Sequence, residues 1–178
     1  MSWKRKTGHP AFWNVVECVE MGVFKDGGGY PKGFLRWASR TLGCGGREGQ
    51  VLHVCSGSVR SGVTVDIRAE VGPQVVADGL HLPFRDGSFR WVMSDPPYSQ
   101  GWARELYGTN EPALKQLCNE LSRVLAPGGK VGVLHHKVAQ FPSGVGMKFE
   151  RVYGITTGPG FRVRAWTVGR KEPAGLWG

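Results

Sequence analysis

The chain has 178 residues, a formal net charge of +9 and 28 glycines, enough for one domain with a proper core and too few for two comfortable ones. No stretch approaches the roughly 18 apolar residues of a membrane span, and the basic run Met1–His9 is followed by Asn14, Glu17 and Glu20 instead of the apolar segment of a secretory signal. Cys18, Cys44, Cys55 and Cys118 are scattered, with no CxxC and no histidine at ligand spacing, so they read as core thiols of a cytoplasmic protein and not as a metal site or a disulfide frame.

The charge is unevenly placed. Residues 1–50 carry net +4, residues 51–129 net −1 and residues 130–178 net +6. Basic ends around a near-neutral middle either attract a polyanion such as nucleic acid or simply keep the chain soluble. Residues 1–9 read as a basic tail. Ala11 to Val23 and Gly33 to Leu42 have helix-like apolar spacing, with Gly27-Gly28-Gly29 as a breaker between them. Residues 1–50 are therefore expected to form a basic, helical N-terminal segment packed on the core. Strands are predicted at Val51–Cys55, Val63–Val65, Gln74–Ala77 and Arg90–Ser94, the last three running into Asp66, Asp78 and Asp95. Glu111 to Ala126 places Leu114, Leu117, Leu121, Val124 and Leu125 on one helical face, and Pro127-Gly128-Gly129 stops it. Lys130–His135 reads as a fifth strand. Phe149–Tyr153 and Phe161–Val168 read as a closing antiparallel hairpin, and residues 173–178 as a tail. The pattern predicts an α/β, Rossmann-like doubly wound sheet with a C-terminal antiparallel hairpin.

Asp95-Pro96-Pro97-Tyr98 says most about chemistry. Two prolines cannot sit inside a helix; they fix an extended or turned backbone that offers carbonyls and no N–H. An acid, a carbonyl and an aromatic ring are thus presented together at a strand's C-terminal end, where open α/β sheets bind ligands. The set suits an amino group on a flat ring. Upstream, the turn Cys55-Ser56-Gly57-Ser58 allows close approach of a cofactor to the backbone. Asp66 can accept ribose hydroxyls. Asp78 can accept from an adenine amino group while the Gly79 N–H donates to the ring. Each acid alone also fits a cap or a turn.

Taken together these residues resemble a class I S-adenosylmethionine (SAM)-dependent methyltransferase of the kind that methylates exocyclic amino groups of bases. Val51–Ser58 resembles the first motif and Val65-Asp66-Ile67 the ribose-binding strand end. Ala77–Phe84 with Asp86–Phe89 resembles the stretch before the fourth strand, Leu125–Gly129 is another frequent feature, and Asp95–Tyr98 matches the catalytic motif of N6-adenine methyltransferases. The resemblance implies a catalytic domain over residues 51–172. It implies SAM as cofactor at Cys55, Ser56, Gly57, Ser58, Asp66, Ile67, Asp78 and Gly79, no metal, and catalysis by Asp95, Pro96, Pro97 and Tyr98.

The chain departs from the family in three places. His53 stands where an acid is usual, and Ser56-Gly57-Ser58 is a reduced glycine pattern. Gly57 to Asp66 is too short for a helical crossover, so the first crossover helix is expected to be short or missing. No room is left for a separate target-recognition domain, so specificity would come from the basic termini, short loops, or a partner or second copy of the chain. The resulting expectation is adenine N6 methylation in DNA. Guanine N2 or adenine N6 in ribosomal or transfer RNA is the alternative, and a weakly active or inactive nucleic-acid-binding subunit is a further one. His135-His136 either lines the pocket or merely ends a strand. His9–Trp13 either closes over the cofactor or staples a helix. Trp102 either stacks on a base or anchors its loop.

Overall fold

The computed structural model describes residues 16–21, 30–98, 101, 104 and 113–173. The basic tail, His9–Trp13, the glycine breaker, Trp102, the first residues of the third predicted helix and residues 174–178 lie outside them. Eight strands form one sheet: β1 (Val16–Glu20), β2 (Val51–Val54), β3 (Val63–Asp66), β4 (Val75–Val76), β5 (Phe89–Ser94), β6 (Leu125–His135), β7 (Met147–Thr156) and β8 (Arg164–Lys171). Among the described residues two complete α-helices accompany them, α1 (Phe34–Leu42) and α2 (Leu114–Val124).

The sheet order is β1-β7-β8-β6-β5-β2-β3-β4. From β4 to β6 every pairing is parallel, and β8 lies antiparallel between β6 and β7. The chain steps outward from β2 to β3 and β4, then returns to the other side of β2 for β5 and β6. The order therefore reverses between β2 and β5, and the crevice at their carboxyl ends is the topological switch point. The turn at residues 55–58 leaves β2 there, and Asp95–Tyr98 leaves β5 beside it.

The missing crossover helix is confirmed: residues 55–62 contain no helix. Eight residues suffice because each extended residue spans about 3.3 Å and the strands they join have only four residues each. Two other expectations are corrected. Val16–Glu20 is a strand, not helix, paired in parallel with β7 from Val16↔Val152 to Glu20↔Thr156. The local spacing is helix-like, but Val16 and Val19 suit a strand, and an open sheet edge supplies the partner. In addition, β6 begins at Leu125, directly after α2. Leu125 pairs with Phe89 and Lys130 with Trp91, so the Pro-Gly-Gly segment is taken up as an irregularity in the ladder.

Side chains alternate across the sheet. Leu52, Val54, Val92, Val131 and Val133 face α2 through Leu117, Leu121 and Val124. Val51, Trp91, Met93, Leu134 and Trp166 face α1 through Phe34, Ala38 and Leu42. Trp166 is fully buried. Its Nε1 donates to Thr41 Oγ1 at 3.0 Å, its ring meets Phe34 edge-on at 5.0 Å, and it lies over Gly132, where a Cβ would come within 2.0 Å of the indole. Gly132→Ala should therefore overpack this contact. At about 1–3 kcal/mol, melting temperature should fall by about 2–12 °C in a thermal denaturation scan.

Candidate functional site

Asp95–Tyr98 follows β5 as extended chain with Pro96 buried. Tyr98 folds back and its hydroxyl donates to Asp95 Oδ1. Arg164, the first residue of β8, donates from Nη1 to the Tyr98 oxygen at 2.5 Å and lies 3.9 Å from Asp95 Oδ2. Its guanidinium is 5.6 Å from the centre of the Tyr98 ring. The Asp95 and Arg164 side chains are each only 7% exposed. Burial pushes the Asp95 carboxyl up to about 7, and Arg164 and then the Tyr98 hydroxyl hold it down against a larger rise. The acid thus changes charge near neutral pH.

Both histidines after β6 reach this cluster. His136 stacks on Tyr98 with ring centres 4.4 Å apart and planes 25° apart. His135 meets the same ring edge-on at 5.6 Å, and its Nδ1 accepts from the Lys137 N–H at 3.0 Å.

Across the crevice, Cys55 adopts a left-handed φ of 56° and Gly57 follows with a φ of 51°. For Cys55 this conformation is strained. It turns the chain so that the Gly57 N–H donates to Asp66 Oδ2 at 2.8 Å. Asp66 Oδ1 accepts from the Arg68 N–H at 3.0 Å and from its Nε at 3.4 Å. The Asp66 side chain is fully buried, so these three bonds make it the anchor of the turn. Burial, then the carboxylates of Asp66 and Asp95, and to a smaller extent Asp78, push the Cys55 thiol up. All three acids therefore act on Cys55.

Asp78 sits at the rim with its side chain 47% exposed. It behaves as a turn aspartate, accepting from the Leu80 N–H at 2.9 Å. Gly79 packs under the site, where a Cβ would meet Val54 at 2.9 Å and the Cys55 sulfur at 3.6 Å. Ile67 points outward, 41% exposed.

Two contributors escaped the sequence reading. Arg164 carried no local signal, being one cation within a basic segment. Tyr30 precedes α1, stacks on Phe34 at 5.1 Å and meets His53 edge-on at 6.3 Å. Burial raises its hydroxyl, and Asp95, Cys55 and Tyr98 add to the rise in that order, so Tyr30 reaches toward the acids from the far wall. The hydroxyls of Tyr30 and Ser56 and the Nδ1 of His53 are buried with no hydrogen-bond partner among the described residues. Burial lowers His53 to about 4, so it is neutral. Buried polar groups are normally satisfied, so these three orphans mark the region between β2 and Tyr30 as polar and incompletely paired. A cavity of about 330 Å³ opens alongside, between Tyr30, Pro31, Gly33, Leu35 and Arg36 on one wall and Ser58 and Val59 on the other. Among the described residues no His, Cys, Asp and Glu group could hold a metal ion, and no helix is long and apolar enough to cross a membrane.

No family model and no curated protein matches the chain. Solved structures do. The chain is similar to the 1,6-didemethyltoxoflavin-N1-methyltransferase of Burkholderia thailandensis, solved with S-adenosylhomocysteine, at 14% identity over 79% of each chain with a TM-score of 0.51. It is similar to TrmN of Thermus thermophilus at 19% identity over 76% of this chain and 47% of that one, also at 0.51; it thus spans about half of TrmN's length. It is also similar to the [4+2]-cyclase SpnF at 12% identity over 88% of each chain and a TM-score of 0.50. The fold is that of the class I SAM-dependent methyltransferases, with β1 extending the sheet at the β7 edge. A cyclase on the same fold shows that the fold does not choose the reaction; the site must.

The Tyr98 hydrogen bond is testable without any substrate. A hydrogen bond to a charged group is worth about 1.5 kcal/mol, or about one pH unit. Tyr98→Phe should move the Asp95 carboxyl titration upward from about 7 by about that much, read by carbon NMR of the side-chain carboxyl.

Proposed function

We propose that this protein transfers a methyl group from SAM to an exocyclic amino group of a nucleic-acid base, with adenine N6 in DNA as its first target. The observation that carries this reading is the buried Asp95–Tyr98 segment at the switch point, with Asp95 facing both Arg164 and the acid-lined turn after β2.

The residues of the crevice fit SAM. The strained turn at Cys55–Ser58 would bring backbone close to a ligand, the Ser56 hydroxyl lacks a partner among the described residues, Asp66 holds that turn in place from beneath, and Asp78 with Gly79 lies at the rim where an adenine would sit. Bound there, SAM would supply an electrophilic methyl group on a sulfonium. The chain's own residues would prepare the amine. The lone pair of an exocyclic amine is delocalised into its ring. Asp95 accepting one N–H and the Pro96 carbonyl accepting the other draw the nitrogen toward tetrahedral geometry and free that lone pair. Neither Pro96 nor Pro97 has an N–H, so this segment presents acceptors to an amine and no competing backbone donor. Positioning supplies much of the acceleration in such a site. One face of Tyr98 is stacked on His136, so a base would use its other face or displace the histidine. Stacking of that kind contributes about 1–3 kcal/mol.

A polymer substrate is supported by the layout of charge. Residues 130–178 carry net +6. The turn between β7 and β8 ends next to Arg164, at the same edge of the sheet as Asp95, and it exposes Phe161 and Val163, each 58% exposed, on either side of the exposed Arg162. An aromatic beside a cation suits an unstacked base and its phosphate.

Labelled methyl transfer to unmethylated DNA and to unmodified RNA, followed by digestion to nucleosides, tests the reading. Label in N6-methyldeoxyadenosine is expected. Label in N2-methylguanosine or N6-methyladenosine moves the target to RNA. No label in either, with S-adenosylhomocysteine still bound, leaves a nucleic-acid-binding subunit. Asp95→Ala should lower the rate by at least about a hundredfold with little change in S-adenosylhomocysteine affinity.

The carboxylate is the accepting form, so the rate of methyl transfer should rise with pH through a midpoint near 7. Arg164 lowers that midpoint, so Arg164→Met should move the profile to higher pH. A profile unchanged by Arg164→Met would remove Arg164 from this role.

A further inference from the structure

Tyr30 packs on the α1 face of the sheet. Its ring stacks on Phe34 with planes 9° apart and meets His53 edge-on. His53 pairs with Met93 in the ladder between β2 and β5, and Trp91, Met93, Trp166 and Val168 pack with α1. Alternation carries that face on to Asp95, two residues beyond Met93, and to Arg164, two residues before Trp166. Tyr30, Asp95 and Arg164 therefore share one side of the sheet at its carboxyl end. The Tyr30 hydroxyl is shut off from solvent and has no hydrogen-bond partner among the described residues. Buried tyrosine hydroxyls normally find one. Burial, and then the charges of Asp95, Cys55 and Tyr98, hold this hydroxyl protonated. It is a donor facing the acid of the switch point.

On the reading that a base amine is methylated at Asp95, we infer that Tyr30 is a specificity-determining residue whose hydroxyl donates to the ring nitrogen next to that amine, N1 where the base is adenine. The chemistry of the base edge sets this assignment. Asp95 and the Pro96 carbonyl are acceptors, so they suit the two N–H bonds of the amine and cannot serve a lone pair. The ring nitrogen beside the amine is an acceptor and needs a donor. Pro96 and Pro97 have no N–H to give, and Arg164 is engaged with Tyr98 and Asp95. The Tyr30 hydroxyl is a donor on the same side of the sheet. A sulfonium is a cation and would not accept its proton. Two acceptors for the amine and one donor for the ring nitrogen together read the edge that adenine presents. A site built on such polar partners rejects an analogue that lacks one of them. The contact selects and orients the base. A hydrogen bond at N1 draws the amine lone pair further into the ring, so activation stays with Asp95 and Pro96.

Labelled methyl transfer to random-sequence oligonucleotides tests this, with every adenine left as adenine or replaced by 1-deazaadenine or 7-deazaadenine, in single strands and in duplexes. 1-Deazaadenine keeps the amine and has a C–H in place of N1; 7-deazaadenine keeps N1. With the wild type, kcat/KM for the 1-deaza oligonucleotide should fall about ten- to a hundredfold below that for adenine, the range for one buried hydrogen bond. The 7-deaza oligonucleotide should behave as adenine does. Tyr30→Phe should lose rate on adenine and on 7-deazaadenine and bring all three substrates together. Its melting temperature without ligand should be equal or higher, because an unsatisfied buried group has gone; a hydroxyl that served the fold would lower it. A wild type that does not discriminate, discrimination that survives Tyr30→Phe, or a lower melting temperature each overturns the Tyr30 contact and leaves amine methylation standing. If the adenine oligonucleotide takes no label from the wild type in either form, the adenine reading itself fails and this contact with it.

Discussion

The burial of one carboxylate organises this protein. Asp95 ends β5 in a place where only 7% of its side chain meets solvent. A charge removed from water to that extent must be compensated or neutralised. The compensation comes from Tyr98, three residues on, and from Arg164 on β8. Arg164 reaches Asp95 only because β8 inserts antiparallel between β6 and β7, which places the first residue of β8 beside the carboxyl ends of the parallel strands. The result is an acid poised near 7. Such values are common where chemistry is done.

The crevice separates charge by distance from that acid. Its floor is acidic, with Asp66, Asp78 and Asp95 all acting on Cys55. Its cations stand around that floor: Arg164 beside Asp95, and the exposed Arg36 on the wall of the adjoining cavity. An acidic floor of this kind attracts positive charge, which the sulfonium of the proposed cofactor would carry. The mismatch to be relieved is Tyr98, whose hydroxyl and one ring face are already engaged.

Sequence reading did best where the signal was local. The strands at Asp66 and Asp95 were visible because apolar runs meeting an acid are written in four to six consecutive residues; the one before Asp78 shrinks to Val75–Val76. The short β2–β3 connection could be counted. Reading failed at Val16–Glu20, where the helix-like spacing yields to an edge partner more than 130 residues away in β7. It also placed the start of β6 five residues late, because Pro127-Gly128-Gly129 looks like a stop and the ladder with β5 simply steps over it. Both errors have one cause: backbone hydrogen bonds to distant strands outweigh weak local preference.

By itself, the sequence determined the order of strands, the positions of the acids and the proline-fixed acceptor segment, since each depends on residues adjacent in the chain. Only the tertiary structure decided which groups face that segment. Arg164 lies 66 residues from Tyr98, Tyr30 sits before the first helix, and His135 and His136 leave a different strand, yet all of them meet at one crevice. Their side chains carry no mark of this locally. The contacts arise because parallel strands bring their carboxyl ends together and an antiparallel strand turns its first residue toward the same edge, a consequence of sheet topology that no short stretch of the chain encodes.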